Sequence, residues 1–429
     1  MSKKNSNLNY QRLFLILCFT GLVRMGFTQD FGNSPYSQVG IGEMFSNTFA
    51  HQVGMGGTGV SNNSINFLNI YNNVNPALLA RSRNTVFEAG VMGQIKTLRN
   101  ETDSQQDFGA SYNYLALSFP IGNSWTTGIG LVPYSTINYE NVSRIKIENT
   151  DFSSDLIQKG QGGVNSIFLT NSVGIARRLM LGLKVNWLFG SIINESTANL
   201  VTGTNPLQGR VTYFNRIRVN DLLLEPGISY HQKVGKTMFL NVGATYTMST
   251  DLNAKRFLSF DRRNLNDLII AQDTIANDQA TSIRLPQRLR VGVSIEKAFK
   301  WQLGADLLME NWSSFRINDT TGVLQDVVGI SVGGEYTPNL NSLRGYWNRV
   351  TYRAGFTYKQ NPINPEKVQD MSISFGFSLP VQKNRSLLNL SIVLGQQGNI
   401  SDGFVQERYV RLHLGATIND KWFIKPKID

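Results

Sequence analysis

The chain has 429 residues, a formal net charge of +11 and a single cysteine. Its mean hydropathy of −0.19 excludes a bundle of membrane-spanning helices, because each of those needs about twenty consecutive apolar residues. A single cysteine excludes a disulfide framework. Nucleic-acid binding would need the cations on one face, and along the sequence they are scattered through expected turns and loops, so no nucleic-acid partner is predicted.

Residues 1–28 have the layout of a secretory signal peptide, with a basic start, an apolar run from Leu13 to Val23 and then small and polar residues. The run is too short to span a membrane, and cleavage is expected near Gln29. Cys18 lies inside the run, after a leucine where lipoprotein processing prefers a small residue, so lipidation is not expected. The segment holds four cations and no acid, which leaves +7 on the rest of the chain.

Residues 29–84 are rich in glycine and asparagine and are predicted to form a segment outside the main sheet. Within them, Gly54, Gly56, Gly57 and Gly59 match the letters of a dinucleotide-binding motif. However, no buried strand precedes them and no βαβ unit surrounds them. A tightly packed backbone, which glycine permits, is the favoured interpretation.

From Thr85 to Ile418, large apolar residues alternate with small or polar ones, as in Met371–Leu379. Strand side chains point alternately to opposite faces, so each strand has one wholly apolar face. Faces this complete fit lipid, where a backbone must close its hydrogen bonds into a helix or an edgeless barrel. Fourteen strands are predicted, near residues 85–97, 109–121, 124–140, 162–177, 180–197, 213–232, 236–252, 281–297, 300–316, 326–338, 349–360, 369–381, 386–399 and 405–417.

The connections between these strands alternate between short and long, as they do in bacterial outer-membrane barrels. The even strand count places both ends of the barrel, residues 85–418, in the periplasm, together with a tail over residues 419–429. Tryptophans near expected strand ends suggest aromatic girdles at the membrane interfaces. They are Trp125, Trp187, Trp301, Trp312 and Trp347.

The predicted inward faces are mostly serine, glycine, asparagine, threonine and arginine, with Arg411 and His413 facing the lumen in the last strand. Three histidines in unrelated segments, with no metal-binding spacing, predict no metal site. No nucleophile or phosphate-binding motif is present, so neither an enzyme nor a cofactor is predicted.

The longest expected external loop, residues 253–280, carries apolar side chains: Phe257, Leu258, Phe260, Leu265, Leu268 and Ile269. Its second half suggests a short amphipathic helix. Two interpretations stay open. The loop collects an apolar ligand or docks a partner, or it folds back on the mouth of its own barrel.

Both ends of the chain resemble one family. The stretches Ser34–Glu43, Met55–Gly59 and Asn75-Pro76-Ala77, together with Arg411–Lys425, are similar to FadL-like outer-membrane barrels of Bacteroidota. The layout agrees over the whole mature chain, whereas detailed similarity is confined to the ends. The chain departs from many outer-membrane barrels by continuing past Phe423 instead of ending on an aromatic residue.

The resemblance implies a fourteen-stranded barrel in the outer membrane whose residues 29–84 fold inward as a hatch, with Asn75, Pro76 and Ala77 at the junction with the first strand. Members of the family move fatty acids or other hydrophobic compounds without energy input. Others in the superfamily serve type 9 secretion as shuttle or plug barrels. We therefore expect outer-membrane lipid as a partner and a passive conduit for hydrophobic small molecules. The alternative is an accessory or plug barrel bound to secretion subunits.

Overall fold

The computed structural model describes residues 32–62, 70–150, 152–202, 205–264, 266–317, 320–321, 324–381 and 386–420. The expected signal peptide and residues 421–429 of the expected tail lie outside these ranges. The strands are β1 (Glu43–Met44), β2 (Thr85–Arg99), β3 (Ser104–Pro120), β4 (Trp125–Lys146), β5 (Phe152–Gly174), β6 (Leu179–Thr202), β7 (Asn205–Val234), β8 (Met238–Thr247), β9 (Thr250–Arg263), β10 (Ile269–Leu285), β11 (Arg288–Lys297), β12 (Trp301–Glu310), β13 (Arg316–Ile317), β14 (Thr320–Thr321), β15 (Val327–Tyr336), β16 (Thr351–Gln360), β17 (Gln369–Val381), β18 (Ser386–Gln397) and β19 (Gln406–Asp420).

Helices in the described part of the chain are short. The α-helix α1 covers Ala50–Val53, and 3-10 turns cover Pro35–Gln38, Pro76–Arg81, Trp312–Ser314, Trp347–Arg349 and Ile400–Asp402. Within the described ranges, no helix has the length and apolar character needed to cross a membrane.

The wall of the barrel is a single antiparallel sheet closed by the pairing of β19 with β2, where Leu412 lies opposite Gly93. β8 and β9 act as one wall strand because both pair with β7, and β10 and β11 form the next, paired with β9 and β8. Counted in this way, the wall has 14 strands. The predicted all-β fold, an antiparallel barrel of about fourteen strands, is confirmed.

Alternation divides the two faces of the wall as predicted. Leu412 and Ile373 point outward with exposed fractions of 40% and 49%, whereas inward neighbours such as Ser374 and Thr417 are at 2% and 0%. The outer face is therefore apolar and uncovered by protein, as contact with lipid requires.

Strand lengths differ strongly around the barrel. β7 has 30 residues and β4 has 22, whereas β12 and β15 have 10 each. A tilted spanning strand needs only about 9–11 residues. The strands from β4 to β10 therefore continue well past the membrane-spanning height as a tall wall on one side of the barrel.

This wall corrects the long connections that the expected strand bounds leave over residues 141–161, 198–212 and 253–280, because these residues are mainly strand. For example, Val142 pairs with Ile157, and Arg218 pairs with Lys255. Beyond the membrane the outer face meets water instead of lipid. The strands there lose the apolar alternation on which the prediction depended.

The connections at one end of the barrel, near residues 121–124, 175–178, 235–237 and 298–300, are short, as predicted. We call this the turn end and the opposite one the loop end; in outer-membrane barrels the turn end is periplasmic. At the loop end, β13 turns back along the tall wall, with Ile317 opposite Ile283 of β10.

Candidate functional site in the barrel lumen

The N-terminal segment, defined as the described residues between 32 and 84, runs through the lumen and contacts strands on all sides of it. Phe49 stacks on Tyr114 of β3 with ring centroids 3.9 Å apart. Hydrogen bonds join Gly56 N–H to Ser374 of β17 (2.8 Å), Val60 N–H to Asp306 of β12 (3.0 Å) and Lys184 of β6 to the Asn73 carbonyl (3.0 Å). Because these strands are distributed around the barrel, the segment crosses the lumen from side to side.

Inward-facing glycines of the wall allow the N-terminal segment to pack closely against it. A Cβ atom on Gly355 would lie 2.1 Å from the Gly56 nitrogen and 2.2 Å from the Met55 carbonyl carbon, so only glycine lets the two stretches of chain approach this closely. The same close approach to the segment occurs at several strands, and we call these positions the glycine belt. They are Gly182, Gly227, Gly243, Gly333, Gly355 and Gly376.

Of the glycines singled out in the N-terminal segment, Gly54 and Gly56 lie against this belt. Gly56 and Gly57 have φ of +68° and +73°, a conformation that favours glycine, just after α1. A Cβ on Gly54 would lie 2.8 Å from the Cα of Gly376. Gly59 donates its N–H to Asp306 at 2.7 Å.

Asn75, Pro76 and Ala77 lie where the segment turns toward the first wall strand. The Asn75 side-chain oxygen accepts the Ala77 N–H at 3.0 Å and so caps the 3-10 turn that begins at Pro76. Its amide donates to the carbonyls of Val60 (2.7 Å) and Ile228 (3.0 Å). One asparagine therefore ties two parts of the segment to β7.

An ionic cluster, defined as Glu43, Lys96, Glu407 and Arg411, holds the start of the segment to the wall. Lys96 Nζ lies 3.0 Å from the Glu407 carboxylate and 3.5 Å from that of Glu43. Arg411 Nη2 lies 2.8 Å from the Glu43 carboxylate, and the Ser34 hydroxyl donates to Glu407 at 2.6 Å. Glu43 is thus the link between the segment and two wall cations.

This link makes stability depend on pH in a defined direction. Burial alone would raise the pKa of Glu43, but the charges of Lys96 and Arg411 outweigh it and lower the pKa to about 2. An unfolded glutamate has a pKa of about 4.3. The Glu43 contribution to the free energy of unfolding is therefore fully present above about pH 4.3 and is lost as the pH falls toward 2.

We expect Glu43→Gln to lower the free energy of unfolding in urea at pH 7 and to lose this part of the pH dependence, because Lys96 then lies buried with one anionic partner fewer. Glu140→Gln is the matched control, since Glu140 pairs with Lys159 at the surface, where both side chains are about half exposed. Equal losses in both variants at pH 7 would contradict the role of Glu43.

Arg411 and His413 lie on the inward face of β19. Arg411 donates to the Gln94 side chain at 2.9 Å and lies over the Tyr409 ring, 4.1 Å from its centroid. His413 is buried, and its Nδ1 lies 3.1 Å from the Asn113 amide. In the described ranges, no group of three or more His, Cys, Asp or Glu side chains could hold a metal ion.

The loop-end half of the lumen contains a large apolar cluster, which corrects the prediction that the inward faces are mostly small or polar. Its lumenal apolar cluster includes Ile137, Leu188, Leu223, Leu252, Ile283, Trp312 and Phe315, all at most 4% exposed. Trp312 was predicted for an interfacial girdle but lies inside, whereas Trp125 is 45% exposed on the outer face.

A β-bulge explains why the sequence concealed part of this cluster. In β4 the register with β5 shifts between Pro133 and Ser135. Inward residues have even numbers before the bulge, as at Val132, and odd numbers after it, as at Ile137 and Tyr139. Simple alternation places the latter two toward lipid. The proline in the strand was the available indication of a bulge.

A cavity of about 270 Å³ separates the N-terminal segment from the wall. Val39, Met44, Trp312 and Leu324 contribute apolar surface, and Glu43, Arg288, Lys359, Asp370 and Arg411 contribute charge. His413 also borders it. The cavity therefore offers both apolar surface and charged groups to a solute.

The apolar residues predicted for an external loop lie mostly on a β-hairpin. Phe257, Leu258 and Phe260 belong to β9, where Leu258 is buried and Phe260 is exposed. Ile269 begins β10, and Leu268 in the turn before it is 64% exposed. The predicted helix is therefore wrong over the described residues. β9 pairs with β7 as far as Arg263, and β10 pairs with β9 on its other side. Leu265 lies outside the described residues.

Similar folds occur in solved transporters. The toluene transporter TodX of Pseudomonas putida is 18% identical, with a TM-score of 0.57, over 88% of this chain and 99% of that one. The toluene transporter TbuX of Ralstonia pickettii is 15% identical (TM-score 0.56; 87% and 98% covered). A FadL homologue of Pseudomonas aeruginosa is also 15% identical (TM-score 0.55; 88% and 99% covered).

No curated protein matches the chain. A family model does: that of BamG matches residues 10–429, nearly the whole sequence. The chain therefore belongs to the BamG family.

Proposed function

We propose that the protein is a passive conduit for hydrophobic small molecules across the outer membrane, reached after cleavage of the signal peptide, and that the N-terminal segment is its hatch. The observation that carries the proposal is the place of the cavity. It lies against the N-terminal segment and shares Trp312 and Leu324 with the lumenal apolar cluster. An apolar solute arriving at the loop end would thus meet the apolar cluster first and then a cavity that Trp312 and Leu324 line on the way to the segment.

The size of the cavity favours a small solute. Ligand sites commonly have volumes of about 300–1,000 Å³, so a cavity of about 270 Å³ lies just below this range. The cluster above it is densely packed, since Leu188 and Ile283 are both 0% exposed. Passage therefore needs side chains of the cluster to move first, and then the segment.

The similar structures support a conduit for hydrophobic small molecules over a plug barrel. TodX and TbuX are described as toluene transporters, and CymD, 16% identical with a TM-score of 0.54 over 87% of this chain and 98% of that one, as a monoaromatic hydrocarbon channel. Sequence identities this low support the fold alone, so the solute class is part of the proposal. The geometry of the described residues does not favour a plug barrel of type 9 secretion.

Uptake measurements test the proposal. Cells of a host without its own transporter of this kind should take up radiolabelled toluene or palmitate faster, and saturably, when they carry the protein. Uptake equal to that of cells with an empty vector would overturn it. Isolation of the native protein with secretion subunits in equal amounts would favour the alternative instead.

Trp312→Ala should open the upper part of this path. The indole borders both the cluster and the cavity, so its removal enlarges the space and should raise the uptake rate by about twofold or more if gating limits passage. The loss of a buried aromatic should also cost about 3–5 kcal/mol of stability. The uptake rate is measured in cells that carry the folded variant, and the loss of stability is measured by urea unfolding.

Trp125→Ala is the control, because Trp125 is exposed on the outer face and touches neither region. It should leave uptake unchanged. An equal rise in both variants would indicate general leakage through a loosened barrel.

A further inference from the structure

The turn end of the barrel carries exposed cations around most of its circumference. Three turns hold two each, namely Arg177 and Arg178, Lys233 and Lys236, and Lys297 and Lys300. Arg83 and Arg344 are exposed in two further connections. Along the sequence these cations appear scattered, and closure of the barrel collects them on one rim.

In the part of the chain that the structure describes, the cations on this rim have no anionic partners. Among the described residues, none of the eight forms a salt bridge, and the connections at this end contain no Asp or Glu. Of the nearest acids, Glu296 is buried inside the barrel and Asp420 ends β19. The rim at the turn end therefore carries an excess of exposed positive charge.

The loop end differs, because acids are interspersed with its cations. Exposed Glu101, Glu148 and Glu366 lie close in sequence to Arg99, Lys146 and Lys367, and other cations there form ion pairs. Arg144 binds Asp155 and Arg284 binds Asp251, each with a shortest distance of 2.6 Å, and Arg218 lies 3.1 Å from Asp278. The positive excess thus belongs to the rim at the turn end and is not a general property of the surface.

Exposed apolar side chains accompany the cations at the turn end. Ile175 is 61% exposed beside Arg177, Phe299 is 51% exposed between Lys297 and Lys300, and Trp347 is 67% exposed three residues after Arg344. Side chains of both kinds at one level are typical of a membrane interface, where aromatic rings enter the headgroup region and cations reach phosphates.

We propose that this rim binds the anionic headgroups of phospholipids in the periplasmic leaflet. Lys and Arg near a membrane surface attract anionic lipid, and each turn offers a cation next to an apolar anchor. The inference does not depend on the passage of any solute.

The distribution of the cations favours lipid over an acidic protein as the partner. A docked protein would cover one sector of the rim. The exposed cations instead lie at turns between β5 and β6, β7 and β8, β11 and β12, and β15 and β16, as a surrounding ring of lipid requires.

Fluorescence quenching tests the proposal with the protein's own tryptophans, since Trp125 and Trp347 are exposed near this rim. The full-length mature protein is folded into vesicles that contain brominated phosphatidylglycerol or brominated phosphatidylcholine. We expect the binding constant for phosphatidylglycerol at the protein surface to exceed that for phosphatidylcholine by at least about fivefold at low salt, and the preference to shrink at high salt.

A variant that replaces four cations at the turn end should lose most of this preference: Arg177→Gln, Arg178→Gln, Lys233→Gln and Lys236→Gln. The matched control removes the same charge from exposed positions at the loop end, by Arg99→Gln, Lys146→Gln, Arg262→Gln and Lys367→Gln, and should keep the preference. Folding of each is checked by its gel mobility with and without heating.

Equal quenching of the wild-type protein by the two lipids would overturn the proposal and favour an acidic protein partner. So would an equal loss in the two variants, since the preference would then follow net charge and not the rim. Neither result bears on uptake, so this test and that of the conduit fail separately.

Discussion

Leu412→Arg should destabilise the protein folded in lipid vesicles by about 2–4 kcal/mol, because this is the cost of a cation on the lipid face near the middle of a bilayer. Leu412 points outward from β19 between Gly93 and Ile392 of the neighbouring strands and is 40% exposed. Urea unfolding in vesicles, followed by tryptophan fluorescence, measures the loss.

The control for this substitution needs an inward position with free space beside it. Ser374 is unsuitable because its hydroxyl accepts the Gly56 N–H and is buried, so an arginine there would displace the N-terminal segment. Ser372, two residues earlier on the same face, borders the cavity instead. Ser372→Arg should cost clearly less than Leu412→Arg, and equal costs would mean that the two faces are wrongly assigned.

Gly355→Val should displace the N-terminal segment without opening the barrel. The new side chain must occupy the space of the Met55 and Gly56 backbone, which cannot yield as a flexible side chain would. Overpacking of this kind costs about 1–3 kcal/mol, enough to change the ratio of displaced to docked segment by roughly 5- to 150-fold. Limited proteolysis of residues 54–57 should accelerate accordingly, and uptake of toluene or palmitate should rise with it.

Gly304→Val provides the comparison, because a Cβ on this glycine of β12 comes no closer than 3.4 Å to any atom. It places the same residue in a wall strand and should leave both rates near those of the wild type. If Gly355→Val accelerated proteolysis but not uptake, the segment would be displaced without acting as a hatch.

The alternation of apolar and small residues determined the barrel. Around Met371–Leu379 it assigned every side chain to a face, and the inward or outward positions of Ser374 and Ile373 follow it. The strand number and the short turns at the turn end follow from the same local signals, because strand periodicity and turn chemistry act over a few residues. The presence of glycines in a segment outside the wall was equally evident.

Other features depended on contacts between distant residues. No local rule states that Gly355 must accommodate Gly56, since the two are brought together only by closure of the barrel. The height of the tall wall was not foreseen because strands above the membrane lose the apolar alternation, and a bulge near Pro133 reversed it within β4.

The sequence by itself therefore determined the all-β barrel, its lipid-facing side and its separate N-terminal segment, since each depends on patterns read over neighbouring residues. Tertiary structure decided the glycine belt, the ionic cluster around Glu43, the lumenal apolar cluster and the basic rim. The physical reason is that these consist of single side chains contributed by many strands, and only the register and closure of the sheet place them together.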